Sequence, residues 1–280
     1  MAFDPDRLLN HDFPEIRQSY APRDAILYAL GLGLGEDPLD EGDLDYLLET
    51  RLKVLPTMAV TLSTPGMWIR DAAFGVDFVK LVHSEQDVLF HAPLPPAADV
   101  IATPKVASLH DRGPGKGAIL VVERAVRDAA DDTLYATIRQ TLLLRGDGGY
   151  GGPPSPAPEA AATPDRAPDH EITVPISARA ALIYRLSGDW NPLHSDPVVA
   201  AAAGFDRPIL QGLASYGIAG HSIMRATGKA LKRLSCRFSG VVFPGDTLRF
   251  SIWQTDENVC FEAWASDRRV LDRGMAIMER

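Results

Sequence analysis

Pro208-Ile209-Leu210-Gln211-Gly212-Leu213-Ala214-Ser215-Tyr216-Gly217-Ile218-Ala219-Gly220 reads as a helix entered from a tight turn, and it carries no charge. A helix this poor in charge is suited to burial, and its many small residues let a sheet approach closely. Gly212 stands in the first turn, where unpaired N–H groups and the helix dipole stabilise negative charge on a carbonyl oxygen. Without a side chain, Gly212 leaves that approach open. The same glycines would also suit a core helix in which they serve packing alone. Strand patterns follow. Leu248, Phe250 and Ile252 alternate with polar residues, Asp256-Glu257-Asn258 turns, Val259, Phe261 and Ala263 continue, and a last strand is predicted from about Arg273 to Met278. In the first half, Ala118–Val126 and Leu134–Leu144 flank Asp131-Asp132 in the same way. One helix followed by several antiparallel strands is an α+β pattern that suits a sheet wrapped around a central helix.

Upstream of that helix, Tyr184-Arg-Leu-Ser-Gly-Asp-Trp-Asn-Pro-Leu-His-Ser-Asp196 gathers a carboxylate (Asp189), a carboxamide (Asn191) and an imidazole (His194) among the turn formers Gly188 and Pro192. A bent segment can aim Asp189 and His194 at one small volume, where two groups of different proton affinity handle one water molecule. Gly-Asp and Asn-Pro are also ordinary turn dipeptides, so the run describes a surface loop equally well.

The stretch from Gly146 to about His170, rich in Gly, Pro and Ala, reads as a linker. It divides the chain into residues 1–145 and 171–280. Gly146, Gly148 and Gly151 have dinucleotide-loop spacing, but prolines follow where a helix is needed; Gly113–Gly117 is read as a turn, not a phosphate loop. The halves look like diverged copies: Ile26–Leu30 parallels Leu182–Leu186, and Asp37-Pro38-Leu39-Asp40 echoes Asn191-Pro192-Leu193-His194, with Asp40 where the imidazole would be.

These segments resemble the hydratase 2 motif of the MaoC-like, hot-dog-fold dehydratases, on Tyr184, Gly188, Asp189, Asn191, Pro192, His194 and Gly212-Leu213. Val82-His83-Ser84-Glu85-Gln86, Asp111-Arg112-Gly113 and Arg237-Phe238 resemble segments of the hydratase 2 unit of peroxisomal multifunctional enzymes. The resemblance implies a double hot-dog fold and an (R)-specific 2-enoyl-CoA hydratase, a hydro-lyase of lipid metabolism adding water reversibly to a trans-2-enoyl-CoA. Its acyl group could be branched or polycyclic. Asp189 and His194 would be the catalytic pair and the Gly212 N–H the thioester oxygen's donor. His83, Ser84, Arg112, Asn191 and Phe238 would contact substrate. Ser84 replaces a Gly of the family, and Arg112 a Lys. Two alternatives stay open: a dehydratase or hydratase of acyl-carrier-protein thioesters, and a non-catalytic acyl-thioester binder.

Composition narrows the classes further. The chain has 280 residues and a formal net charge of −9, which argues against a general nucleic-acid binder. Arg225, Lys229, Lys232, Arg233 and Arg237 form an acid-free cationic run, either a phosphate-facing edge or cations favouring a helix C-terminus. The two cysteines, Cys236 and Cys260, give neither a disulfide framework nor a zinc pattern and are expected buried in strands. His11, His91, His110, His170 and His221 show no metal-ligand grouping and are read as surface or satisfied residues. No membrane span, signal peptide or peroxisomal address is recognised, so a cytoplasmic monomer or homodimer is expected. Hydration changes no oxidation level; no cofactor is expected beyond the coenzyme A of the substrate.

Overall fold

Strand pairing sets the architecture of the computed structural model, which describes residues 2–156 and 163–279. Eleven strands form one antiparallel sheet: β1 Ile16–Tyr20, β2 Leu81–Phe90, β3 Ala98–Ala102, β4 Lys105–Asp111, β5 Ala118–Asp128, β6 Leu134–Leu144, β7 His170–Pro175, β8 Leu231–Phe238, β9 Thr247–Gln254, β10 Val259–Ala265 and β11 Arg268–Met278. The spatial order is β1-β3-β5-β6-β2-β8-β11-β10-β9-β7, with β4 on β5. The first half of the chain supplies β1 to β6 and the second β7 to β11. They join where β2 pairs with β8, from Glu85 opposite Arg237 to Leu89 opposite Arg233. Across that junction Arg233 grips the Asp87 carboxylate with two N–H groups at 2.9 and 2.8 Å.

Among the described residues six α-helices accompany the sheet: α1 Pro5–Leu9, α2 Pro22–Gly31, α3 Glu41–Leu44, α4 Ala180–Tyr184, α5 Pro197–Ala202 and α6 Gly212–Thr227. The uncharged run is α6, buried along most of its length. Its glycines do what their size suggests. A Cβ on Gly217 would lie 2.7 Å from the Tyr28 hydroxyl and 2.8 Å from Leu32, and one on Gly220 would lie 2.6 Å from Thr57. The first half has no equivalent of α6. At that place in the chain stands a short 3-10 helix, Pro56–Thr61, whose proline and β-branched residues disfavour a longer helix. The repeated pentads pack together: Tyr28 of α2 and Tyr184 of α4 have ring centroids 5.8 Å apart, and Gly31 lets the Tyr184 backbone come close.

The last strand begins at Arg268, earlier than alternation indicates. Ser266, at φ 54°, makes the preceding turn, while Arg273, at φ 50°, interrupts the ladder with a register shift after Asp272. That irregularity hides the first part of β11 from a period-two reading. Residues 157–162 of the proposed linker lie outside the described residues. Its beginning is folded onto the first half, where the Asp111 carboxylate accepts from the N–H groups of Gly113, Gly149 and Gly151. Gly113–Gly117 is indeed the β4–β5 turn. Cys236 and Cys260 are buried in β8 and β10 and are not joined in a disulfide. Among the described residues no helix is long and apolar enough to cross a membrane, and no His, Cys, Asp and Glu grouping could hold a metal ion.

Candidate active site

Between α4 and α5 the chain makes two 3-10 turns, Arg185–Ser187 and Pro192–His194, separated by Gly188 at φ 114°. A side chain at that φ would be strained, so glycine permits the reversal that brings Asp189 back toward His194. Asn191 fixes the second turn: its side-chain oxygen accepts from the Leu193 N–H, while its own backbone N–H donates to Asp189 Oδ1, both at 3.2 Å. The Asn191 carboxamide oxygen is therefore engaged in holding the loop.

His194 is buried and Asp189 about a third exposed, with Nε2 and Oδ2 3.8 Å apart. His194 Nδ1 donates to the Ile209 carbonyl at 2.9 Å. A carbonyl can only accept, so in the neutral ring the proton sits on Nδ1 and the Nε2 lone pair faces Asp189. Two acceptors opposed at that distance suit a water molecule donating one proton to each. The Ile209 anchor was not legible in the sequence, because a main-chain carbonyl leaves no mark there. It also ties the loop to the segment entering α6, three residues before Gly212.

Gly212 opens α6, and its first-turn N–H has no intrahelical acceptor by the geometry of a helix start. A Cβ there would meet the Phe238 ring at 3.2–3.5 Å. Phe238 in turn packs edge-on against His83, with centroids 4.9 Å apart. The structure thus brings Gly212, Phe238 and His83 into one contact chain at the β2–β8 junction. His83 spends both ring nitrogens internally: Nε2 donates to the Glu85 carbonyl at 3.1 Å and Nδ1 accepts from Gln140 at 3.4 Å. Burial holds the ring neutral, its pKa lowered to about 4. What it offers a ligand is a ring surface. Ser84 occupies a β-bulge and donates its hydroxyl to the Thr141 carbonyl at 3.2 Å. Arg112 is exposed on the β4–β5 turn, two strands from β2 at the same end of the sheet as His83; no contact joins it to the others.

The cationic run is less open than its sequence suggests. Arg225 pairs with Asp40 and Asp43, Arg233 with Asp87, and Arg237 with Asp272. A wholly free phosphate-facing edge is therefore not what these arginines form. His221 is enclosed beside Asp43 at 3.6 Å, and the Nδ1 of His110 is buried without a partner, contrary to its reading as a satisfied residue.

A carboxylate–imidazole pair on a loop, a buried helix beginning beside it and two sheet halves fused through one junction are the arrangement expected of a hydro-lyase of the hot-dog class. The MaoC like domain matches residues 159–271 and the MFE-2 hydratase 2 N-terminal domain matches residues 18–146. The chain belongs to this MaoC-like hydratase 2 family. It is 38% identical to enoyl-CoA hydratase ChsH3 of Mycobacterium tuberculosis, over 91% of this chain and 90% of that protein. It is 36% identical to the peroxisomal enoyl-CoA hydratase 2 of Arabidopsis thaliana, over 95% and 92%. A crystal structure of a MaoC-like dehydratase from Phytophthora capsici superposes with a TM-score of 0.85 at 29% identity, covering 99% of both chains. A Mycobacterium tuberculosis protein of double hot-dog fold, 15% identical with a TM-score of 0.53 over 96% and 95% of the two chains, bears on the fold alone.

Proposed function

We propose that the chain catalyses the reversible hydration of a trans-2-enoyl-CoA to a (3R)-3-hydroxyacyl-CoA. The observation that carries this reading is the opposition of His194 Nε2 and Asp189 Oδ2 across 3.8 Å, with the tautomer set by Ile209. A water held by both acceptors keeps a lone pair free for the β carbon. The Gly212 N–H accepts the task of binding the thioester oxygen, which draws electron density from the alkene as the water oxygen adds. The proton leaving the water passes to the pair, and the pair returns a proton to the α carbon, so the water supplies both new groups. The two sites are coupled, and their titration belongs to the pair.

In this reading His83 and Phe238 wall the thioester end, Ser84 and Asn191 lie beside it, and Arg112 meets coenzyme A phosphate. Residues 1–145 serve mainly to bind acyl-CoA, 146–170 link, and 171–280 carry the reactive pair. No cofactor takes part, and the chain acts in the cytoplasm as a monomer or homodimer, since the paired hot-dog unit is already present within it. Commitment of Arg225, Arg233 and Arg237 to carboxylates favours a coenzyme A thioester over an acyl-carrier protein, which would call for a broad basic rim.

Loss of enoyl-CoA absorbance, with chiral analysis of the product, tests the reaction. Asp189→Asn and His194→Gln should each lower kcat by roughly 10²–10⁴-fold, as expected for a positioned acid or base. Near-normal turnover in either variant would refute the pair.

A further inference from the structure

The inward residues of β5 are Ala118, Leu120, Val122, Arg124 and Val126, and the fourth breaks the apolar series with a cation. Arg124 is only 7% exposed. Its guanidinium donates to the main-chain carbonyls of Val60 at 2.6 Å and Leu62 at 3.2 Å, and no carboxylate pairs with it among the described residues. Those bonds occupy two of the five N–H groups of its fork. Burial lowers its pKa to about 10, which still leaves it charged at neutral pH. Beside the carbonyl it holds stands Ser63, wholly buried, at φ 46°, with an unpartnered hydroxyl. A buried cation held by main-chain carbonyls alone, next to an orphan hydroxyl on a residue of positive φ, is a costly arrangement that a negatively charged acceptor would relieve.

Strand register connects this spot to the site. Directly opposed residues share a face, which gives three rows across β5, β6 and β2: Leu120–Leu142–His83, Val122–Gln140–Gln86 and Arg124–Ile138–Val88. Gln86 is buried, and Gln140 bonds His83. The first-half core is split at this polar band, with Leu120, Leu142 and Leu144 in one cluster and Val88, Val126 and Ile138 in the other. The band runs from the wall of the candidate site into the interior that, in this half, lacks a helix like α6.

We propose that Arg124, with the Ser63 hydroxyl, recognises a carboxylate at the far end of the acyl chain, making the enzyme selective for enoyl-CoAs that end in an acid. The inference rests on the enoyl-CoA reading above. Two strands across and four residues along place the Arg124 and His83 Cα atoms about 16 Å apart, a span for an acyl chain of medium length. The fork geometry of a guanidinium matches a carboxylate with two N–H donors.

The test titrates wild type, Arg124→Met and Arg124→Lys with saturated acyl-CoAs of equal length, one ending in a carboxylate and one in a methyl group, by calorimetry. It then compares kcat/KM for the corresponding trans-2-enoyl-CoAs. Wild type should prefer the acid-ended ligand by roughly tenfold or more, with part of that ratio kept by Lys and none by Met. A wild type without that preference, or an Arg124→Met protein that retains it, overturns the proposal. The wild-type ratio decides even where a variant fails to fold. Free hexanoate that binds wild type when the tethered acid gives no preference assigns Arg124 to small anions and also overturns it. Should no enoyl-CoA be hydrated, the proposed function fails, while binding of the saturated pair still judges Arg124.

Discussion

His83 shows how far a residue's surroundings set its chemistry. Its folded pKa of about 4 lies below the ordinary value of 6.5 because burial penalises the charged ring. The unfolded chain therefore takes up a proton first as pH falls. The stability that His83 contributes is full above pH 6.5 and is lost on going down to pH 4, by up to about 3 kcal/mol. Urea unfolding at pH 7.5 and pH 5 should show this loss, and His83→Gln should flatten it. Gly212 makes a steric prediction. Gly212→Ala pushes a methyl against the Phe238 ring and should cost about 1–3 kcal/mol in stability along with turnover. Phe238→Leu in the same chain should restore part of both, a coupling that a double-mutant cycle reads directly. The approach of Asp189 to His194 was legible because polar residues among turn formers leave a spacing signature, and the helix that Gly212 opens was legible from its uncharged run. Ile209 left none. Arg124 did leave one, a cation among the inward apolar residues of β5, visible only when the alternation is counted through it.

Elements built from a clear period were read well, and those built by accommodation were not. β6 runs from Leu134 to Leu144 as its pattern indicates, and α6 follows its uncharged stretch. By contrast, the residues from Gly33 to Lys80 hold one short α-helix and several 3-10 turns, held by tertiary contacts that no periodicity announces. The close packing of α6 gives a prediction that does not involve the Asp189–His194 loop. Gly217→Ala places a methyl inside contact distance of Tyr28 and Leu32, so thermal unfolding should shift down by several degrees. Gly228→Ala is a useful comparison: there the backbone, at φ 67°, resists a side chain although the space is open.

Across the whole molecule, the β2–β8 pairing is what makes two half-sheets one sheet. A chain cut between the halves would leave two long strand edges bare, each with unpaired N–H and C=O groups. Residues 1–156 and 163–280 expressed apart should aggregate, and coexpression should recover a soluble pair on size-exclusion chromatography. Two independently soluble monomers would contradict the dependence drawn here from the junction. In the proposed reading the two halves also take different tasks. Asp40, which stands where the other copy carries His194, is tied to Arg225 near the far end of α6. In that reading the Asp189–His194 loop does chemistry at the head of that helix, while the Asp40 segment works as a brace at the foot. Asp40→His would cut the tie to Arg225 and loosen the scaffold before it could supply a second reaction centre, so that division of labour is mechanically hard to reverse.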